Sequence, residues 1–227
     1  WFAKKIGFND FSGGIAASGG TLSNLNALIA ARNYAGLGSD PNSVLLISED
    51  AHTSFIKCTR IMGLNETNLL RIKTDNKGCM DIQNLRKTLD KCSIENKKIF
   101  AIVATLGTTV RGAIDPIKDI SEICKERDIW LHIDGSIGGI FALTSIPING
   151  LNNINLANSI TINPQKIIGI TKTSSLLLVS NMSTLENTFS TGLPYIACDE
   201  KFINRERTWD SRFKTRGGYK TLAWVTF

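Results

Sequence analysis

The run IWLHIDGSIGG at residues 129–139 decides the fold class of this chain. Its first five residues, 129–133, form a short apolar stretch typical of a strand that is buried on both faces of a sheet. Two similar runs precede it, SVLLIS at 43–48 and FAIVAT at 100–105. These runs alternate with stretches of helical periodicity, and the alternation predicts an α/β fold with a mostly parallel central sheet flanked by helices.

Helices are predicted between these strands by apolar residues that recur at three- and four-residue spacing. Asp81 and the pair Asp115 and Pro116 are typical helix starts, and Gly63 is a typical helix end. The apolar positions are Leu25, Leu28 and Ile29, then Leu85, Leu89 and Cys92, then Ile117, Ile120, Ile123 and Cys124.

The last third of the chain is expected to complete the sheet. Strands are predicted at 159–162 and 174–179, and NPQK at 163–166 is expected to form a turn after the first of them. No linker or repeat interrupts residues 1–200, so one large domain is expected there.

The composition excludes several classes of protein. With 227 residues, 42% hydrophobic and 20% charged, and a formal charge of +6, the chain is expected to fold as an ordinary domain in the cytoplasm. No apolar run is long enough to span a membrane, and no signal sequence is recognisable. Five scattered cysteines and only two histidines argue against a disulfide framework and a metal site, so any cofactor should be organic.

The charge is concentrated in one segment. Residues 201–220 carry seven basic side chains and two acidic ones. They contain no recognised nucleic-acid motif, so we interpret them as a solvated or interface surface and expect no nucleic-acid partner. Because the chain starts at Trp1 and stops in an apolar run at 222–227, we expect it to be part of a longer protein.

Four positions beside predicted strands and helices could carry chemistry. SGGT at 18–21 precedes a helix, where glycines, a hydroxyl and free N–H groups suit a phosphate, although such glycines are also common in plain tight turns. Asp134 follows a strand at the edge where α/β proteins bind ligands, or alternatively serves as a turn or cap residue. Lys166 and His52 also follow strands, and each alone is more simply explained as a solvated or structural side chain.

Together these groups match the needs of one cofactor, pyridoxal 5'-phosphate. It requires an anchor for its phosphate, a flat side chain against its ring, a carboxylate for its pyridine nitrogen and an amine for a Schiff base. The glycine turn alone would also suit a nucleotide-binding α/β domain, but that alternative explains neither Lys166 nor Tyr195, a tyrosine 29 residues beyond that lysine.

Five segments, in order and in spacing, resemble the group II pyridoxal-phosphate-dependent amino acid decarboxylases. The resemblance extends from about residue 8 to the end of the chain. NPQKIIG followed by SSLLLV is most similar to the glutamate and cysteine-sulfinate branch, with the diaminobutyrate and aspartate decarboxylases as close alternatives. The segments are SGGTLSNLNALIAAR (18–32), EDAHTSFIKCTRIMG (49–63), ATLGTTVRGAIDPI (104–117), WLHIDGSIGG (130–139) and NPQKIIGITKTSSLLLVS (163–180).

The resemblance implies a role for each matching residue. Lys166 would form the Schiff base with the cofactor, Asp134 would pair with the pyridine nitrogen, and His52 would stack on the ring. The other matching positions are Gly20, Thr21 and Asn163 at the phosphate, Ser136 behind the ring, Thr108 near the cofactor, and Gln165 next to the lysine.

Two residues depart from the family pattern, and one further match concerns a loop. Gln165 stands where the family usually has His, which removes a titratable group close to the substrate, and Ser136 stands where it usually has Ala. Tyr195 matches the mobile-loop tyrosine, whose phenol delivers a proton to the α-carbon after carbon dioxide leaves.

The resemblance implies a lyase of amino acid metabolism. It would be a carboxy-lyase acting on an L-amino acid, either an acidic one or 2,4-diaminobutyrate. Family members generally work as dimers, so a homodimer is expected, and residues 201–227 would end the large domain and lead to a carboxyl-terminal small domain missing from this chain. The alternative is a catalytically incomplete fragment that retains the cofactor-binding fold.

Overall fold

The computed structural model describes residues 1–146, 148, 150–170 and 174–190. Tyr195, the basic segment 201–220 and the apolar run 222–227 all lie outside these residues.

Seven strands and seven α-helices follow one another along the described residues. The strands are β1 (Gly13–Ala17), β2 (Val44–Ser48), β3 (Leu69–Ile72), β4 (Ile99–Thr105), β5 (Trp130–Gly135), β6 (Ser159–Ile162) and β7 (Ser175–Val179). The helices are α1 (Phe2–Lys5), α2 (Gly20–Tyr34), α3 (Ser54–Ile61), α4 (Ile82–Ile94), α5 (Ile117–Glu126), α6 (Pro164–Ile167) and α7 (Ser183–Phe189). Short 3₁₀ turns lie at Glu66–Asn68, Gly138–Leu143 and Leu151–Leu156.

The strands form one sheet in the order β1-β7-β6-β5-β4-β2-β3. Every neighbouring pair from β3 to β6 is parallel, and β7 runs antiparallel to both β6 and β1. This confirms the predicted fold class. The five parallel strands therefore end at the same edge of the sheet, which is where open α/β folds bind their ligands.

The two faces of the sheet differ in chemistry. One face packs on α4 and α5 through a continuous aliphatic cluster that includes Leu85, Ile120 and Ile133. The opposite face lies under α2, which contacts β4, β5, β6 and β7. Two separate apolar clusters occupy this second face, one toward α3 and one toward α7. Buried polar side chains lie on the same face, and they form the candidate site.

The five predicted strands are confirmed to within two residues, but two strands escaped prediction. β1 reads GGIAA, whose glycines and small residues do not form an apolar run, and β3 reads LLRI, which is only 4 residues long. β5 extends to Gly135, so Asp134 lies inside the strand rather than after it.

The predicted helix boundaries have mixed outcomes. The Asp81 carboxylate caps α4 by accepting hydrogen bonds from two backbone N–H groups of its first turn, and Gly63, with φ of +69°, follows the end of α3. Both predictions are confirmed. The predicted turn at 163–166 is instead the start of the short helix α6.

The predicted helix start at Asp115 and Pro116 is confirmed, since α5 begins at Ile117, but no side-chain hydrogen bond caps it and Asp115 has another role. Its carboxylate is buried and accepts hydrogen bonds from the backbone N–H groups of Met80 and Thr105, each at 2.7 Å. Because these donors lie before α4 and at the end of β4, Asp115 ties two elements together instead of satisfying its own helix. No helix in the described ranges has the length and hydropathy needed to cross a bilayer.

Candidate active site

Three polar side chains lie next to one another at the carboxyl edge of the parallel strands. In the strand register Thr105 of β4 pairs with Asp134 of β5, which in turn pairs with Thr161 of β6. All three are buried, and the hydroxyl oxygens of Thr105 and Thr161 have no hydrogen-bond partner among the described residues. A buried hydroxyl without a partner is unfavourable, so the two threonines leave polar capacity open on both sides of the carboxylate.

The Asp134 carboxylate has one donor on each oxygen. Oδ1 accepts from the backbone N–H of Ser136 at 3.1 Å, and Oδ2 accepts from the Asn24 side-chain amide at 3.3 Å. The backbone carbonyl of Asp134 accepts from the N–H of Leu106, which joins the end of β5 to the end of β4. The orientation of the carboxylate is therefore set from helix α2 and from its own strand.

The predicted phosphate turn closes against two other segments. Gly20 begins α2, and a Cβ added there would lie 2.7 Å from the nearer amide atom of Asn163 and 3.0 Å from Ser136 Oγ. Only a residue without a side chain lets these three segments approach so closely. Gly20, Ser136 and Asn163 therefore meet at the amino end of a 15-residue helix, where free N–H groups favour an anion.

The amide of Asn163 is fixed by its neighbours. In the orientation that satisfies both ends of the amide, its nitrogen donates to Ser175 Oγ at 2.6 Å and its oxygen accepts from Gly20 N–H at 3.3 Å. Ser175 Oγ also lies 2.7 Å from Ser23 Oγ on α2. These contacts connect the helix start, β7 and the position just before α6. Thr21, the neighbour of Gly20, is exposed, and its carbonyl accepts from the Cys58 thiol at 3.6 Å.

Lys166 is exposed on α6, which follows β6 directly at the same edge of the sheet. Its backbone N–H donates to the carbonyl of Asn163 at 3.1 Å. Neighbouring Gln165 accepts through Oε1 from the backbone N–H of Ser174 at 2.6 Å, so its amide oxygen is already engaged within the chain. Within the described ranges the Lys166 amine has no ion pair.

His52 and Thr108 also follow parallel strands but are held by local contacts. His52 is exposed after β2, and its Nδ1 accepts from the backbone N–H of Ser54 at 3.1 Å. Thr108 is buried after β4, and its hydroxyl accepts from the N–H of Ala113 at 3.0 Å. No hydrogen bond links either residue to Asp134 in the part of the chain described.

Burial dominates the electrostatics around Asp134. His132 lies two residues earlier on β5 and is completely buried, which lowers the pKa of its imidazole to about 4 against the opposing pull of Asp134. Burial and the nearby Asp134 charge raise the pKa of the Cys58 thiol to about 12. The imidazole is therefore neutral and the thiol is unreactive near neutral pH.

Several residues of this cluster could not be identified from sequence motifs. Thr105 and Thr161 lie beside Asp134 on neighbouring strands and Asn24 bonds it from α2, and only the tertiary structure brings these residues together. A polar residue inside an otherwise apolar stretch was the one available indication, as with His132 in β5.

Comparisons with known proteins agree on a single family. The model of the pyridoxal-dependent decarboxylase conserved domain matches residues 1–214. The aromatic-L-amino-acid decarboxylase of Bacillus atrophaeus is 31% identical over 207 residues, which are 91% of this chain and 43% of the relative. The acidic amino acid decarboxylase GADL1 of Xenopus tropicalis is 33% identical over 200 residues, which are 84% of this chain and 39% of the relative.

A solved structure shows the same architecture. The glutamate decarboxylase domain of a diaminobutyrate–pyruvate transaminase and L-2,4-diaminobutyrate decarboxylase from Vibrio parahaemolyticus superposes with a TM-score of 0.78. It is 28% identical, and the match covers 99% of this chain and 49% of that one. The chain thus spans less than half the length of each of these proteins.

Proposed function

Because this chain belongs to the pyridoxal-dependent decarboxylase family, whose members use pyridoxal phosphate, we propose that it forms the cofactor-binding part of an enzyme that decarboxylates an L-amino acid. Residues 1–200 would be the large domain, and 201–227 would lead to a small domain. The observation that carries the proposal is the meeting of Gly20, Ser136 and Asn163 at the start of α2, one hydrogen bond away from the buried Asp134 carboxylate.

The described residues fit the cofactor at both of its polar ends. The start of α2 offers N–H groups and the closely packed Gly20 and Asn163 for a phosphate. At the other end, the unpartnered hydroxyls of Thr105 and Thr161 flank the Asp134 carboxylate, which suits a polar ring edge. An apolar ligand would leave these buried hydroxyls without partners.

The roles proposed for the protein groups follow from their chemistry. Bound pyridoxal phosphate supplies an electron sink for the electron pair left by the departing carboxylate. Asp134 would hold a proton on the pyridine nitrogen, because a nearby carboxylate stabilises the protonated form. Lys166 would hold the cofactor covalently through Nζ, and His52 would cover the ring. Tyr195, outside the described residues, would give a proton to the α-carbon.

The proposed substrate is an acidic amino acid or 2,4-diaminobutyrate, and the proposed assembly is a homodimer in the cytoplasm. The support for this substrate class is the similarity of residues 163–180 to the glutamate and cysteine-sulfinate branch. The names of the matched proteins include both an aromatic and an acidic amino acid decarboxylase. A substrate panel must therefore include aromatic amino acids beside aspartate, glutamate, cysteine sulfinate and 2,4-diaminobutyrate.

Trapping the cofactor tests the proposal. The purified chain is mixed with pyridoxal phosphate, reduced with borohydride and digested, and the labelled peptide is identified by mass spectrometry. We expect the label on Lys166 and its loss in Lys166→Ala. The control is Lys118→Ala, which removes an exposed lysine on a different helix, α5, and should keep the label. A label on other lysines, or none at all, would contradict the proposal.

Carbon dioxide release is then measured over the substrate panel. Release that requires Lys166 and falls strongly in Asp134→Ala supports a decarboxylase. A specific label without release from any amino acid would instead favour the cofactor-binding fold without activity.

A further inference from the structure

A buried row of hydrogen bonds runs beneath α2 and ends on Asp134. Trp130 Nε1 donates to Ser159 Oγ at 2.8 Å, and Ser159 Oγ lies 2.8 Å from His132 Nδ1. His132 Nε2 lies 3.2 Å from Asn24 Oδ1. The Asn24 amide nitrogen donates to Asp134 Oδ2 at 3.3 Å. All five side chains are buried, and they come from α2, β5 and β6.

The Asn24 end of the row fixes its direction. A carboxylate accepts, so Asn24 turns its amide nitrogen toward Asp134 and Ser54 Oγ and its oxygen toward His132 Nε2. This assigns the imidazole proton to Nε2. The other end is compatible with it, because Ser159 Oγ accepts from the Trp130 indole N–H and keeps its own proton to donate to His132 Nδ1.

The environment of His132 keeps its imidazole neutral, which the row requires. Its ring is completely buried, and burial lowers its pKa to about 4, so the imidazole carries a single proton at neutral pH. A neutral imidazole has one donor and one acceptor nitrogen, which is the combination that a directed row needs.

We propose that Trp130, Ser159, His132 and Asn24 are positioning residues, which form a one-way row of hydrogen bonds that locks His132 with its proton on Nε2 and aims the Asp134 carboxylate. The relevance of that aim to a cofactor nitrogen rests on the function proposed above. The row itself belongs to the protein without cofactor, so the two can be tested separately.

Helix α2 supplies a matched control for Asn24. Asn24 and Asn26 lie on the same helix, and each is only 1% exposed. Neither amide atom of Asn26 has a hydrogen-bond partner among the described residues, whereas Asn24 bonds His132 and Asp134. A change to Leu therefore removes a buried asparagine at either position, but it interrupts the row only at Asn24.

Nitrogen NMR of histidine reads the row directly. The chain has only two histidines, so a His52→Gln variant assigns the remaining imidazole to His132. In the cofactor-free protein at neutral pH we expect a protonated Nε2 and an unprotonated Nδ1. A proton on Nδ1, or a doubly protonated ring, would overturn the proposal whether or not the chain binds pyridoxal phosphate.

The asparagine variants test the connection to Asp134. In Asn24→Leu we expect the Nε2 proton resonance to shift and the dissociation constant for pyridoxal phosphate to rise about tenfold, since a buried hydrogen bond to a charged group is lost. Asn26→Leu should leave both unchanged. Equal effects of the two variants on the Nε2 resonance would refute the row.

A volume-conserving variant covers the case in which Asn24→Leu does not fold. Asn24→Asp keeps an oxygen facing His132 Nε2 but replaces the amide donor to Asp134 with a second acid, and two adjacent carboxyl groups share a proton between them. We expect the Nε2 proton resonance to shift strongly, because its acceptor changes from an amide oxygen to a carboxyl oxygen. An unchanged Nε2 resonance in this variant would overturn the assignment. Failure of the wild type to bind cofactor would refute the proposed function and leave the NMR result intact.

Discussion

Replacing Asp115 with Asn should change how the stability of the protein depends on pH. The Asp115 carboxylate accepts two backbone hydrogen bonds of 2.7 Å, from Met80 and Thr105. Burial nevertheless raises its pKa from 3.8 to about 6, because removing the charge from water outweighs those bonds, and the charges of Asp50 and Asp75 add to the rise. Ionised Asp115 is thus unfavourable in the folded protein relative to the unfolded chain.

The sign and size of the Asp115 contribution to the free energy of unfolding follow from proton linkage. Between pH 3.8 and about 6 the folded state binds the proton more tightly than the unfolded state, so this contribution to stability is complete below pH 3.8 and is lost as the pH rises through about 6. The difference in pKa corresponds to about 3 kcal/mol in the free energy of unfolding. Asparagine does not ionise and lacks this contribution.

His132 changes the free energy of unfolding in the opposite direction over nearly the same pH range. Its pKa falls from 6.5 to about 4 in the folded protein, so its contribution is present above pH 6.5 and is lost as the pH falls through about 4. The two effects largely cancel in the wild type. Only the difference between wild type and Asp115→Asn isolates the carboxylate.

Urea unfolding followed by circular dichroism at several pH values from 4 to 8 provides the measurement. The free energy of unfolding of the wild type, relative to Asp115→Asn, should fall by about 2.4 kcal/mol between pH 4 and pH 7 and then stay nearly constant, since part of the contribution is already lost at pH 4. Asp119→Asn, which removes an exposed carboxylate on α5, controls for the loss of one charge. Parallel curves for wild type and Asp115→Asn would refute the assigned pKa.

Three further substitutions test separate parts of the site. Gly20→Ala should weaken pyridoxal phosphate binding about tenfold in a titration, since the added Cβ would lie 2.7 Å from the Asn163 amide. Gly19→Ala, whose Cβ would have no atom within 4 Å, should bind normally. Equal binding by the two variants would contradict the phosphate site at the start of α2. Tyr195→Phe should release carbon dioxide but form more oxidised or transaminated side product, and an unchanged product ratio in chromatography would argue against the proton role. Thr161→Val should raise the free energy of unfolding by about 1 kcal/mol, because the buried Thr161 hydroxyl has no partner among the described residues. Thr59→Val should lower the free energy of unfolding, because it removes a 2.9 Å hydrogen bond. Destabilisation by both variants in urea unfolding would contradict the prediction for Thr161.

The sequence predicts strands well where burial on both faces produces an apolar run. β2, β4, β5 and β6 belong to this class, and each has only buried residues or nearly so. β1 does not, because it lies at the edge of the sheet and reads GGIAA. Its strand structure depends on pairing with β7, a partner far along the chain, and no local pattern encodes that pairing.

The candidate site is predictable to the extent that it consists of short motifs. Gly20 and Asn163 were both expected at the phosphate and Ser136 behind the ring, and in the structure the three lie close together. Asn24 could not be foreseen, because its role depends on α2 crossing the end of β5. The helix start after Asp115 and Pro116 was predicted, but the partners of the Asp115 carboxylate were not, because an aspartate before a proline has the same local sequence whether its carboxylate faces its own helix or a neighbouring strand.

The contacts that β7 makes with the beginning of the chain also bear on how the protein is synthesised. Ser23 on α2 and Ser175 on β7 share a hydrogen bond although they are 152 positions apart. At about 5–20 residues per second, a ribosome needs about 8–30 s to produce the intervening chain. For most of that interval the glycine turn has been translated but has no Asn163 to close against, and β7 follows Asn163 by only 12 positions, so we expect the nascent chain to acquire its vitamin-derived group only after β7 has emerged.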